Sequence, residues 1–245
     1  TAAKAAGLAK ADLAAQMVVE MTSLQGTMGR VYALRDGQPQ YVADAIYEHW
    51  LPRGSGDALP SSEAGTLLAL ADRLDSLVGL FAAGLEPKST TDPYGLRRAA
   101  LGIIEILVEK RLDFDLRHAI ETVAAVQPIP VPAEVQASLL EFIAGRLRGW
   151  VDDHGWAHDV SAAVLAEQSA NPARALIALL HLGIDKVAGG TGHNLGLEAV
   201  LEFGKQLTVA LDKTRVEQRR SYRHICRAEL YALLDGACCV ADLEP

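Results

Sequence analysis

The chain has 245 residues, of which 50% are hydrophobic and 22% charged, a balance that supports an ordinary buried core and excludes a disordered chain. The net charge of −8 disfavours nonspecific nucleic-acid binding, which draws its affinity from neutralised phosphates, so we expect no DNA partner. Aromatic residues make up only 5%, while Ala and Leu recur and lose little side-chain freedom in a helix. We therefore predict an all-helical fold.

The composition also predicts the compartment of the protein. No apolar stretch approaches the roughly 18 uncharged residues of a membrane span, and residues 1–10 lack a signal-peptide core. We expect a soluble, cytoplasmic protein with no membrane partner. Cys226, Cys238 and Cys239 lack the paired spacing of a zinc site or a disulfide framework and are expected to be reduced thiols. The first residue is not Met and lies in a helical pattern, so we expect a piece of a longer protein.

Apolar residues at helical spacing predict the elements of the N-terminal half. The stripe Leu13 to Leu24 predicts a first helix, and the glycines that follow it predict a break and a second helix that packs closely. Further stripes predict a helix from Val42 to Trp50 after the Asp36-Gly37 turn and a core helix from Leu67 to Phe81.

Two local sequence patterns mark element boundaries in the remainder of the chain. Asp92-Pro93 predicts a helix start, with the carboxylate accepting backbone N–H bonds and Pro at the first helical position. The prolines of residues 127–132 have no backbone N–H to donate within a helix and favour extended backbone. They predict a boundary between a helical domain, 1–127, and a second helical domain, 133–245. Other helices are predicted at Leu116 to Val126, at Val135 to Trp150, at Val160 to Leu165, from Asn171-Pro172 to about Lys186, and through the Arg-rich C-terminal segment.

Four motifs together resemble the beta subunit of bacterial two-subunit glycyl-tRNA synthetase. They are the runs Lys10–Glu20 with Leu24–Ala33, Glu48-His49-Trp50-Leu51-Pro52, Ala71-Asp72-Arg73-Leu74-Asp75, and Asp92–Gly102. The likeness covers approximately residues 8–170. It implies an HD-like helical domain followed by a second helical domain, in a subunit that helps position tRNA-Gly for aminoacylation. The implied partners are the alpha subunit, which would hold ATP with magnesium, tRNA-Gly and the remainder of the beta subunit; this chain would have no cofactor and no catalytic residue.

The first domain also resembles the HD phosphohydrolase superfamily, with Asp12, His49 and Asp72 at its metal-binding positions. Ala11 stands where that superfamily has a histidine, so we expect a degenerate site without metal. We expect the two aspartates to serve helix packing or to pair with Lys10 or Arg73, and His49 to be buried or to lie at an interface. Two alternatives stay open: a metal-dependent HD-type phosphohydrolase that uses these residues, and a structural module that docks on the alpha subunit or on the rest of its own chain.

Seven arginines are candidates for tRNA binding: Arg97, Arg98, Arg146, Arg148, Arg219, Arg223 and Arg227. The last three repeat every four residues, which would align them on one side of a helix. Arg97 and Arg98 lie at a predicted helix start, where the positive end of the helix dipole disfavours cations. The two guanidinium groups therefore need negatively charged partners, which would be either RNA phosphates or the acids Asp72, Asp75 and Glu105. His154 and His158 share a four-residue spacing, but the Gly155-Trp156 break predicts that they form no metal site.

Overall fold

The structure, a computed structural model, describes residues 1–88 and 91–188, with side chains as far as His181. Three candidate arginines, Arg219, Arg223 and Arg227, and all three cysteines lie outside the described residues. The helices are α1 Ala2–Leu8, α2 Gln16–Glu20, α3 Thr27–Arg35, α4 Gln40–Glu48, α5 Glu63–Ala82, α6 Leu96–Glu109, α7 Leu116–Val126, α8 Ala133–Asp153, α9 His158–Gln168 and α10 Pro172–Ala188. No strand occurs in the described ranges, and the all-helical prediction is confirmed.

The long helix α5 connects the two apolar clusters of the described residues. Its Leu68 packs into a small cluster with α1, α3 and α4. Its Leu70, Leu74 and Leu77 lie in a larger cluster built from α5 to α10 together with Ala2 of α1. Because α5 contributes large buried side chains to both clusters and α1 contributes only buried alanines, the orientation of α5 sets how the N-terminal helices meet the rest of the fold.

Hydrogen bonds join the end of α4 directly to the start of α5. The Ser62 side chain caps α5 by accepting from the Gly65 amide at 2.9 Å. Glu48 accepts from the Ser62 amide at 3.0 Å and from the hydroxyls of Ser61 and Ser62. Burial raises the pKa of Glu48, but these hydrogen bonds outweigh burial and hold the pKa below its usual range. The carboxylate therefore stays charged, and its hydrogen bonds join the two ends of the loop formed by residues 49–61.

The proline-rich segment joins α7 to α8 without interrupting the apolar core. Val123 of α7 and Leu139 and Ile143 of α8 belong to the same cluster. Farther along, the Arg174 guanidinium donates two hydrogen bonds of 2.8 Å to the carboxylate of Asp113, which joins α10 to the α6–α7 loop. The predicted division into two domains stays a prediction, since 189–245 lie outside the described residues.

Most predicted helices are confirmed, but the first apolar stripe is wrong. Residues 11–24 form two short 3₁₀ turns, Ala11–Ala14 and Thr22–Leu24, around α2. Ala15 is extended, with φ of −81° and ψ of 131°, and Met21 is also non-helical, with φ of −122° and ψ of 81°, so no single helix can run from Leu13 to Leu24. Met17 and Met21 are consequently 46% and 52% exposed, whereas Val18 is buried.

The start of α6 also differs in detail from its prediction. The Asp92 carboxylate does accept hydrogen bonds, from the Leu96 and Arg97 amides at 2.8 and 2.9 Å. The helix nevertheless begins at Leu96, after Gly95 in the left-handed region with φ of 66°. Pro93 therefore lies in the turn before the helix and not at its first position. None of the described helices combines the length and the apolar character needed to cross a membrane.

The glycine at position 29 provides a test of this packing. A Cβ added there would lie 2.8 Å from Cγ2 of Ile46 and 3.3 Å from the Asp12 carboxyl group. We expect Gly29→Ala to lower the free energy of unfolding by about 1–3 kcal/mol through overpacking. Gly145→Ala is the control, because that exposed position of α8 has open space around it and should gain roughly 0.5–1 kcal/mol of helix stability. Urea unfolding of both variants measures the difference, and equal effects would contradict the packing.

Candidate functional site

Arg73 of α5 organises the region of the HD-like positions. It is only 8% exposed. One guanidinium nitrogen donates to the carbonyls of His49 and Ala69 at 3.0 and 2.9 Å, and the other to those of Trp50 and Pro52 at 3.3 and 2.9 Å. The buried side chain thus ties the segment 49–52 to α5 through backbone groups alone.

The surroundings of Arg73 are adapted to a large buried cation. Gly102 of α6 leaves room for it, since a Cβ there would lie 2.8 Å from the arginine Nε. Burial lowers the pKa of Arg73, while the charges of Asp72 and Glu105 raise it. An arginine stays protonated under such conditions, so the carbonyl oxygens replace the water that the cation loses on burial.

His49 is buried, which confirms one of the two predicted placements, and its lowered pKa favours the neutral form. It is 1% exposed, and its Nδ1 lies 2.5 Å from the Ile46 carbonyl oxygen, which can only accept, so Nδ1 carries the proton. Its Nε2 is buried without a hydrogen-bond partner among the described residues. Burial lowers the pKa of His49, and the nearby charge of Asp72 opposes this effect.

Asp12 holds the start of α3 in place. Its Oδ2 accepts from the amides of Gly26 and Gly29 at 2.7 and 3.0 Å, and the residue is 2% exposed. Gly26 has φ of 75°, and any side chain there would overlap the ring of Trp50. The predicted close packing at these glycines is confirmed, and the role of Asp12 is to satisfy backbone donors of α3.

The third HD-like position, Asp72, forms an ion pair with Lys10. The prediction that Asp72 pairs with Lys10 or Arg73 is therefore confirmed for Lys10. Each of the three HD-like side chains thus has at least one protein partner: two backbone amides for Asp12, a backbone carbonyl for His49 and an ammonium group for Asp72. Asp12 Oδ1, like His49 Nε2, is buried without a hydrogen-bond partner among the described residues. Within residues 1–88 and 91–181, no three His, Cys, Asp or Glu side chains are grouped so that they could hold a metal ion.

The four candidate arginines among the described residues lie on two helices, Arg97 and Arg98 in the first turn of α6 and Arg146 and Arg148 on α8. Two of the acids considered as partners of Arg97 and Arg98 have other contacts, since Asp72 pairs with Lys10 and Asp75 accepts from Gln127 at 2.7 Å. The residues Arg146 and Arg148 are both exposed on α8. Two residues of a helix span about 200°, so these two arginines point to opposite sides.

His154 and His158 lie on either side of a helix break. α8 ends at Asp153 and α9 begins at His158, as the Gly155-Trp156 signal predicts. His154 Nδ1 lies 2.6 Å from the carbonyl oxygen of Trp150. The spacing of four therefore does not place the two rings on one helix.

Sequence reasoning missed the contacts that join distant segments. The four carbonyl acceptors of Arg73 and the ion pair of Asp113 with Arg174 had no local signal. A local signal was available for the link from Glu48 to Ser61 and Ser62. Ser62 directly before Glu63 and an apolar stripe is a helix N-cap pattern, which a buried acid at the end of the preceding helix can complete.

The fold and these contacts define the class: an all-helical protein whose HD-like positions serve packing and capping. The sequence pattern of the family described as "Glycyl-tRNA synthetase beta subunit" matches residues 1–166, which include all of these positions. The chain belongs to the glycyl-tRNA synthetase beta subunit family.

Individual relatives agree with the family match. The chain is 48% identical over 168 residues to the glycine–tRNA ligase, chloroplastic/mitochondrial 2, of Arabidopsis thaliana, an alignment that covers 69% of this chain and 16% of the relative. It is 45% identical over 172 residues to the glycine–tRNA ligase beta subunit of Chromohalobacter salexigens and 45% identical over 173 residues to that of Haemophilus influenzae. Each bacterial alignment covers 70% of this chain and 25% of the relative. The chain therefore spans about a quarter of the length of these beta subunits.

The lowered pKa of His49 predicts a pH dependence of stability. As the pH falls through about 6.5, the ordinary pKa of histidine, His49 takes up a proton in the unfolded chain before it does so in the folded chain. His49 thus contributes stability that is complete above about pH 6.5 and is lost as the pH falls from there towards the folded pKa. We expect the Tm of the wild type to fall more steeply between about pH 7 and 5.5 than that of His49→Gln, whose amide still donates to Ile46 but does not titrate.

The control for this experiment is His118→Gln, because the His118 side chain is 52% exposed on α7. Its Tm should follow the wild-type curve. Parallel curves for the wild type and His49→Gln would show that burial of His49 carries no such penalty.

Proposed function

We propose that this chain is part of the tRNA-binding beta subunit of a glycyl-tRNA synthetase and helps position tRNA-Gly for aminoacylation by the alpha subunit. The observation that carries the proposal is the family match over residues 1–166. The bacterial relatives are named beta subunits, a name that implies a second kind of subunit. The proposed role implies a cytoplasmic location, although the Arabidopsis relative is named chloroplastic/mitochondrial.

The proposed contribution to catalysis is positional. Binding and orienting one reactant lowers the entropic part of the activation barrier, and this requires no reacting side chain on the chain itself. ATP with magnesium would bind on the alpha subunit, and the rest of the beta subunit would complete the assembly. The arrangement of the acidic and histidine side chains supports this function over the phosphohydrolase. A hydrolytic metal needs several donors grouped around it and an open position for water, and no such group of three occurs within residues 1–88 and 91–181.

Exposed arginines supply the chemistry for RNA contact. RNA duplexes are recognised mainly through their shape, phosphates and 2′-hydroxyl groups, for which guanidinium groups are suitable donors. Arg98 is exposed in the first turn of α6, and Arg146 and Arg148 are exposed on α8. The Arg-rich segment with Arg219, Arg223 and Arg227 extends this proposal beyond the described residues.

Charge reversal tests this surface. Arg98→Glu should weaken binding of a tRNA-Gly transcript roughly tenfold at low salt and make the plot of log K against log salt shallower by about one unit. The matched control is Arg35→Glu, the same charge change at an exposed position at the end of α3, which should bind like the wild type. Fluorescence anisotropy with labelled tRNA at several salt concentrations measures both quantities.

Two results would count against the proposal. Equal weakening by both variants would show only a general charge effect and would remove Arg98 from the interface. A wild-type chain that does not bind tRNA, but hydrolyses phosphoesters with a divalent metal, would favour the phosphohydrolase.

A further inference from the structure

One side of α8 carries a row of three ring side chains and one arginine. Phe142, Arg146, Trp150 and His154 follow each other at intervals of four residues, a spacing that aligns side chains on one face of a helix. The first three lie within α8, and His154 is the residue that caps its C-terminus. We refer to Arg146, Trp150 and His154 as the α8 platform.

Contacts within the row give it a defined geometry. The Phe142 ring packs against Phe81 of α5 with centroids 5.3 Å apart, and the Arg146 guanidinium carbon lies 5.8 Å from the Phe142 centroid. The rings of Trp150 and His154 are stacked, with centroids 3.8 Å apart and planes inclined by 28°. The hydrogen-bonding contact of His154 Nδ1 with the Trp150 carbonyl fixes the orientation of the imidazole.

The platform is anchored on one side and open on the other. Trp150 is half-buried against the large apolar cluster, whereas Arg146 and His154 are exposed. Glu105 of α6 lies near enough to His154 for their charges to interact. A planar ring held in this way loses little conformational freedom when a partner stacks on it. Arg146 lies one helical turn before Trp150, and the carboxyl group of Glu105 lies near His154.

We propose that the α8 platform binds an unpaired base of RNA, with the base stacked on the His154–Trp150 pair and its backbone phosphate near Arg146. This inference rests on the proposed function and specifies the kind of nucleotide that this surface takes. Proteins that recognise unpaired RNA stack splayed-out bases on aromatic, histidine and arginine planes. A fixed imidazole on a core-anchored tryptophan, one helical turn from an arginine, matches that chemistry.

Binding of the 245-residue chain to RNA tests the platform. The probes are a tRNA-Gly transcript, a short single-stranded RNA containing 2-aminopurine, and a fully paired RNA duplex of similar length. We expect His154→Ala to weaken binding of the first two by about tenfold or more and to leave duplex binding unchanged. His154→Phe keeps a planar ring and should restore both affinity and the quenching of 2-aminopurine that reports stacking.

Two matched controls separate stacking from charge and from loss of structure. His158→Ala removes an exposed histidine four residues farther on, beyond the helix break, and should bind like the wild type. Arg146→Glu should weaken single-strand binding more than Arg148→Glu, since the two arginines lie on opposite sides of α8.

The outcomes distinguish this inference from the proposed function. If the wild type binds tRNA-Gly but His154→Ala and His158→Ala bind equally well, the platform is overturned and the proposed function stands. If His154→Ala instead weakens only the association with a purified alpha subunit, the platform binds protein and the inference is wrong. A wild-type chain without RNA affinity would overturn both.

Discussion

The arrangement of the N-terminal region depends on one buried cation. Arg73 donates to four backbone carbonyls and so joins the segment 49–52 to the central helix α5. That segment positions the ring of Trp50, which packs against Gly26. Asp12 accepts hydrogen bonds from the amides of Gly26 and Gly29 at the start of α3. A buried guanidinium without these acceptors would cost several kcal/mol, so the cation and the loop around it determine each other's position.

The HD-like positions have structural tasks in this fold. Asp12, His49 and Asp72 contact a helix start, a carbonyl and an ammonium group. These contacts involve α3, α4 and α5, and within residues 1–88 and 91–181 they do not form the group of three donors that a metal site needs. The RNA contacts that we propose lie instead on the outer surface, at the exposed arginines and the α8 platform.

Local signals predicted a large part of the fold, and long-range contacts account for what they missed. The apolar period identified α5, α7 and α8, and Asn171 before Pro172 marked the start of α10, where its side chain accepts from the Arg174 amide at 3.2 Å. The stripe from Leu13 to Leu24 failed because non-helical backbone at Ala15 and Met21 interrupts it. The acceptors of Arg73 lie up to 24 residues away in sequence, a separation that periodicity does not register. The opposite orientations of Arg146 and Arg148, by contrast, follow from helical geometry alone.

The proposed function requires this all-helical chain to contribute to recognition of one tRNA. The experiment that tests this requirement compares the affinity of the chain for tRNA-Gly with its affinity for a tRNA specific for an unrelated amino acid, at the same salt concentration and with the same preparation. We expect tighter binding of tRNA-Gly, with an affinity that falls as salt rises. Equal affinity for both tRNAs, or no binding of either, would contradict the proposed function.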